Sequence, residues 1–214
     1  MLDYPIVRSS FIEENLLIPW CSTHSQSQIV LLGAGLDTRA YRFKPLQFNR
    51  NIVFEIDFPI VIDYKEKIMQ KEKPLCNIIR LSADLVDPDW SSRLIKNGFS
   101  KDIPTFWVLE GLVYYIEREA VSSLLIKTAE ISKEGSQIFI DIIHASRGVS
   151  SPHSKNENSI DPFSKHQRWG LNIKEVPSFF AATGWEVTSS FVDEDDQDRD
   201  VEQKGMVFIQ GIRK

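Results

Sequence analysis

The run Ile29–Phe43, IVLLGAGLDTRAYRF, decides the fold. A strand-length apolar segment enters Gly33-Ala34-Gly35, and a helix-forming stretch follows. Glycine lets a backbone turn sharply and come close to a ligand, and a helix N-terminus offers N–H groups that have no partner inside the helix. Working outward, strand-length apolar runs recur at Ile52–Ile56, Ile78–Leu81, Thr105–Leu109 and Ile138–Ile143. They are near-continuous rather than alternating, as parallel strands buried on both faces are. Pro59–Lys71, Ser91–Asn97 and Arg118–Ser132 read as the intervening helices. The last sets Val121, Leu124, Leu125, Thr128 and Ala129 at helical spacing, with Gly135 as its stop. This alternation predicts a doubly wound α/β fold with right-handed crossovers.

The end of the chain departs from that rhythm. Ile173–Thr183 reads as a helix closed by Gly184. Trp185–Phe191 and Met206–Ile212 read as strands joined by the acidic stretch Asp193–Gln203. That connection is too short for a crossover helix, so the final strand is expected to run antiparallel. The expectation is a Rossmann-like sheet of seven mostly parallel strands with an antiparallel last strand. Arg147–Arg168, rich in Ser, Asn, His and Pro, reads as a long loop.

With 214 residues, 42% hydrophobic and 26% charged, the chain suits one α/β domain over 1–214 that buries its own core. A formal net charge of −5 gives no footing for nucleic acid. Cys21 and Cys76 form neither a disulfide framework nor a metal-binding pair. No secretory segment and no apolar run of roughly 20 residues occurs. A cytoplasmic protein with no membrane partner is expected.

Chemistry-bearing residues fall at successive strand ends. A dinucleotide turn wants a third glycine where Thr38 stands, and a phosphate loop wants Gly-Lys-Ser/Thr, which is absent. A nucleoside with a small charged tail, such as S-adenosylmethionine, needs no pyrophosphate cradle. Asp57, at the end of the second strand and roughly 20 residues past Gly35, is placed to accept ribose hydroxyls. Glu55 shares its side of the strand and is the alternative. Asp84 ends the third strand, where it can accept an adenine amino group. Glu110-Gly111 ends the fourth, with Tyr114-Tyr115 just beyond. Ligands of open α/β sheets bind at these carboxyl ends.

These residues resemble the leucine carboxyl methyltransferase family, including its bacterial branch associated with polyketide-type O-methyltransferases. The matching runs are GAGLDTRAYR at 33–42, EIDFP at 55–59, ADL at 83–85, PTFWVLEGLVYYI at 104–116 and TGWEV at 183–187. The resemblance covers roughly Arg8 to Val187. It implies the common methyltransferase fold and S-adenosylmethionine as cofactor. Gly33, with Gly35, would lie against it, Asp57 on its ribose, and Asp84 and Leu85 on its adenine. Glu110 would face the methionine part, Arg8 would contact the cofactor carboxylate, and Tyr115 would stand near the reacting centre.

The expected reaction is O-methylation of a carboxylate or hydroxyl on a small molecule or peptide terminus. A carboxylate is ionised at neutral pH and needs no base. A hydroxyl needs one, and His144 and His166 are the candidates. Family members usually carry several dozen residues, including a lysine, ahead of the position of Arg8. Here Arg8 lies close to Met1. An arginine on a frayed end must be ordered before it can clamp a carboxylate. Weaker cofactor binding than in longer relatives is expected, and the alternative function is a cofactor-binding but inactive module. A nicotinamide-dependent oxidoreductase is disfavoured by Thr38 and by the C-terminal hairpin.

Overall fold

Alternate residues of the central strands bury into two different layers, which places helices on both faces of one sheet. In the computed structural model, described over residues 4–145, 169–192 and 205–214, the strands are β1 (Gln26–Leu32), β2 (Arg50–Asp57), β3 (Asn77–Ser82), β4 (Thr105–Leu109), β5 (Gln137–His144), β6 (Gly170–Leu171), β7 (Trp185–Phe191) and β8 (Met206–Arg213). Their order is β3-β2-β1-β4-β5-β8-β7. β1 to β5 are mutually parallel, and β8 runs antiparallel to both β5 and β7. The expected seven-strand path with an antiparallel last strand is therefore present. The two-residue β6 adds an eighth, paired parallel to Ile143 and His144 beyond the end of β4.

On one face Val30, Leu32, Phe54, Trp107, Leu109 and Ile140 pack with helices α5 (Trp90–Lys96), α6 (Arg118–Glu130) and α7 (Val176–Phe180). On the other, Ile29, Leu31, Val53, Phe106, Val108 and Phe139 meet the N-terminal segment. That segment is continuous helix: α1 (Tyr4–Phe11), a π-helical stretch (Ile12–Leu17) and α2 (Ile18–Thr23). Pro19 has no N–H to return to the preceding turn, and the helix widens into the π form just ahead of it. Ile12, Leu17 and Trp20 are buried, and the Phe11 ring lies 4.8 Å from Phe208. Arg8 therefore sits on a docked helix, not on the frayed end expected from its nearness to Met1.

Helix α3 (Arg39–Arg42) is a single turn, and α4 (Pro59–Met69) crosses from β2 to β3. The helix expected over Arg118–Ser132 ends at Glu130 with Ile131 as its cap, so Gly135 belongs to the turn into β5 instead. The loop expected over Arg147–Arg168, with His166, lies outside the described residues, as does the acidic turn. No helix among the described residues is long and apolar enough to cross a membrane.

Candidate active site

In this strand order β1 lies between β2 and β4, and the chain's direction of travel across the sheet reverses there. Such switch points open a crevice at the carboxyl ends of the strands. A cleft of about 320 Å³ occupies it, lined among others by Arg8, Gly33, Gly35, Asp37, Arg39 and Glu110.

Gly33 and Gly35 both take positive φ, +67° and +48°, a region L side chains rarely enter. A Cβ on Gly33 would strike Leu112 Cδ1 at 2.7 Å, whereas one on Gly35 would meet open space. The turn is therefore tight on the Leu112 side and open at Gly35. Its N–H groups are largely committed. Gly33 and Ala34 both donate to Ile56 O, at 2.9 and 3.1 Å, and Asp37 donates to Ala34 O at 3.0 Å. Gly35 donates to Asp57 Oδ2 and Arg39 to Asp37 Oδ1, each at 2.7 Å. α3 starts late, at Arg39, and Asp37 takes the first of the helix-end donors expected at this turn.

Asp57, half-buried, adjoins the glycine turn. Oδ2 accepts from Gly35, Oδ1 accepts from Phe58 N at 2.7 Å, and each oxygen keeps a lone pair. Glu55, its alternative, is fully buried. Its Oε2 is 2.8 Å from Lys65 Nζ and 2.9 Å from Arg80 Nε, which ties α4 and β3 to β2. Glu55 is thereby engaged inside the fold, whereas Asp57 is only half-buried.

Glu110 is held from both sides. Arg8 Nε donates to its Oε1 at 2.9 Å, Ser9 Oγ to the same oxygen at 3.1 Å, and Arg39 Nη1 to Oε2 at 2.7 Å. Burial would raise its pKa, but the charges of Arg39 and Arg8 outweigh that and hold the carboxyl below its ordinary range. Arg39 also pairs with Glu13 and Asp37, and Arg42 pairs with Glu13. Arg8 Nη1 reaches Asp141 Oδ2 at 2.7 Å. This connected network, among the described residues, sets four carboxylates (Glu13, Asp37, Glu110, Asp141) against three guanidiniums (Arg8, Arg39, Arg42). It carries one excess negative charge.

The structure thus brings Arg8, Gly33, Gly35 and Glu110 into one cleft, with Asp57 bonded to its glycine turn. Asp84 lies at the exposed end of β3, its Oδ1 accepting from Val86 N at 2.9 Å. Leu85 and Tyr115 are partly buried against the core and do not line the cleft. Tyr115 packs against Tyr114 with the rings tilted by 51° and their centroids 4.7 Å apart. His144 is buried at the end of β5, its ring 5.2 Å from that of Phe191, also outside the cleft lining. Burial lowers its pKa. Arg39, Asp37 and Asp141 are participants that sequence reading missed. Arg39 stood in the matched GAGLDTRAYR run, and Asp141 was visible as the acid inside IFIDIIH.

A ligand crevice at the switch point of a parallel sheet, closed by an antiparallel hairpin, defines the Rossmann-like methyltransferase class of fold. The chain belongs to the leucine carboxyl methyltransferase family, whose model matches residues 1–129. A relative from Saccharopolyspora erythraea, named "Putative S-adenosyl-L-methionine-dependent methyltransferase", is 34% identical over 203 residues, covering 87% of this chain and 65% of its own length. A similarly named protein of Streptomyces coelicolor is 32% identical, with 86% and 62% covered. The chain thus spans somewhat less than two thirds of these relatives. Among solved structures, a "putative methyltransferase" from Thermobifida fusca superposes with a TM-score of 0.64 at 19% identity, covering 97% of this chain and 82% of that one. Human N-acetylserotonin methyltransferase, solved in complex with SAM, gives 0.59 at 13%, covering 97% and 51%. At such identities these two likenesses speak for the fold.

Proposed function

We propose that the chain is an S-adenosylmethionine-dependent O-methyltransferase. Its single domain would bind the cofactor in the switch-point cleft and methylate a carboxylate or hydroxyl of a small molecule or peptide terminus. The observation that carries this reading is the glycine turn. Its amides are consumed internally, and it stands beside a charge network with a net negative excess. That arrangement repels a pyrophosphate and suits a cofactor whose sulfonium and ammonium outnumber its carboxylate. The relatives' names point the same way.

In this reading the open side of Gly35 admits the nucleoside. The remaining lone pairs of Asp57 accept the ribose hydroxyls, and Asp84 with Leu85 borders the adenine. Glu110 receives the ammonium and Arg8 the carboxylate of the methionine part. Tyr115 stands toward the acceptor. The bound sulfonium supplies an electrophilic methyl carbon. The protein's work is then to hold an oxygen nucleophile in line with it, an effect that can contribute ~7–11 kcal/mol.

Calorimetric titration with S-adenosylhomocysteine and, separately, NAD tests the cofactor. The expected outcome is saturable binding of the first alone. Saturable NAD binding without a response to S-adenosylhomocysteine refutes the reading. A screen of carboxylic acids, phenols and peptides with labelled cofactor then tests the oxygen acceptor.

A further inference from the structure

We infer that Asp141 is the positioning residue of the cleft: a buried carboxylate that orients Arg8 and the Glu110-Gly111 turn together without itself touching a ligand. The inference rests on the cofactor reading above. Asp141 is the one acidic residue of β5, its neighbours Ile140 and Ile142 are core, and it is fully buried. A carboxylate in such a layer is costly unless every lone pair is used well. Its Oδ2 accepts from Arg8 Nη1 and from Tyr4 Oη, both at 2.7 Å, and its Oδ1 accepts from Gly111 N at 2.6 Å. The donors come from two distant parts of the chain, helix α1 and the turn after β4.

The consequence is geometric. A guanidinium is planar and rigid, so two bonds fix its position and its plane. Arg8 spends Nη1 on Asp141 and Nε on Glu110. The same Asp141 pins the amide that follows Glu110, so it sets both ends of the Arg8–Glu110 pair. Gly111, at φ +68°, lies against that guanidinium. A Cβ there would stand 3.1 Å from Arg8 Nη1, so a side chain would both strain the turn and push on the arginine. Asp141 is not among the cleft-lining residues and can act only through these partners.

The test is a double-mutant cycle read by S-adenosylhomocysteine titration, with near-UV circular dichroism and thermal melts as folding controls. Wild-type binding is measured first, and its absence overturns the cofactor reading and this inference with it. Given binding, Asp141→Asn is expected to weaken it roughly tenfold or more, the scale of one charge-assisted hydrogen bond. Arg8→Gln should weaken it comparably, and the double variant by clearly less than the product of the two single losses, because only the Gly111 and Tyr4 contacts are then left for Asp141 to lose. Tyr4→Phe, which removes an Asp141 donor but leaves both Arg8 contacts, should stay within about twofold. Unchanged affinity in Asp141→Asn, additive losses in the double variant, or a large loss in Tyr4→Phe would each overturn the positioning role and leave the cofactor reading standing. If Asp141→Asn does not fold, Arg8→Lys decides: it keeps the charge but cannot hold Glu110 and Asp141 through one rigid plane, so a loss of roughly tenfold is expected, and unchanged affinity overturns the positioning role.

Discussion

Each oxygen of Asp57 already accepts one backbone N–H, from Gly35 and from Phe58, so the residue shapes the glycine turn before any ligand arrives. Asp57→Ala should weaken S-adenosylhomocysteine binding roughly ten- to hundredfold, since a hydrogen bond to a charged group contributes ~1.5–3 kcal/mol. Titration of a variant with a wild-type melting profile checks this, and unchanged affinity would reduce Asp57 to a strand end. At this scale the sequence is readable where chemistry sits at a strand terminus. Glu110 and Asp57 stand in recognisable runs and Arg8 is matched by its position ahead of the glycine strand; the structure brings Arg8 and Glu110 into the cleft and bonds Asp57 to its glycine turn. Glu55 and Asp57 are indistinguishable by alternation. Only the packing of α4, which delivers Lys65 onto Glu55, separates a structural acid from an available one. Asp141 was opaque for the opposite reason. An acid inside an apolar strand gives no sign of its partners when they lie more than a hundred residues away.

Among the elements, strand existence was legible and strand length was not. β1, β2 and β5 extend past their apolar runs through polar residues such as Ser27, Asn51 and His144. Ser27 and Asn51 are buried because hydrogen bonds satisfy them, as Trp20 Nε1 donates to Ser27 and Ser27 donates to Asn51. Hydropathy alone cannot register that. β6, two residues long, carries no periodic signal, and it exists because Gly170 can approach Ile143 where a side chain could not. The crossover between β2 and β3 offers a test of what holds an edge element in place. α4 buries only Ile62 and Lys65, and Ile60, Tyr64 and Ile68 are exposed, so the Glu55–Lys65–Arg80 cluster is its main attachment. Glu55→Ala leaves two cations there without their carboxylate and should destabilise the protein by about 3–5 kcal/mol. Chemical denaturation measures it, and a loss below about 1 kcal/mol would place the attachment elsewhere.

For the whole molecule, the charge network ties the N-terminal helices to the sheet, so its protonation should govern acid stability. Glu110 joins α1 through Arg8 and Ser9, and α3 through Arg39, to the end of β4. Burial pushes its pKa up, but the two guanidiniums pull harder and leave it below the ordinary 4.5. The folded state therefore binds fewer protons than the unfolded one in that range. The stabilisation is complete above 4.5 and is lost as the pH falls through the folded value. His144 acts earlier with the same sign. Burial lowers its pKa from 6.5, so on acidification the unfolded chain takes up that proton first and stability falls below pH 6.5. Denaturation midpoints measured from neutral pH to pH 3.5 should decline in two stages. Glu110→Gln should lower stability at neutral pH and flatten the stage below 4.5, because Gln keeps the shape but neither the charge nor the titration. A Glu110→Gln curve parallel to wild type throughout the acid limb would show that the fold does not feel this carboxylate's protonation, and the docking of α1 would then rest on the bonds of Tyr4 and Arg8 to Asp141 and on Phe11 against Phe208.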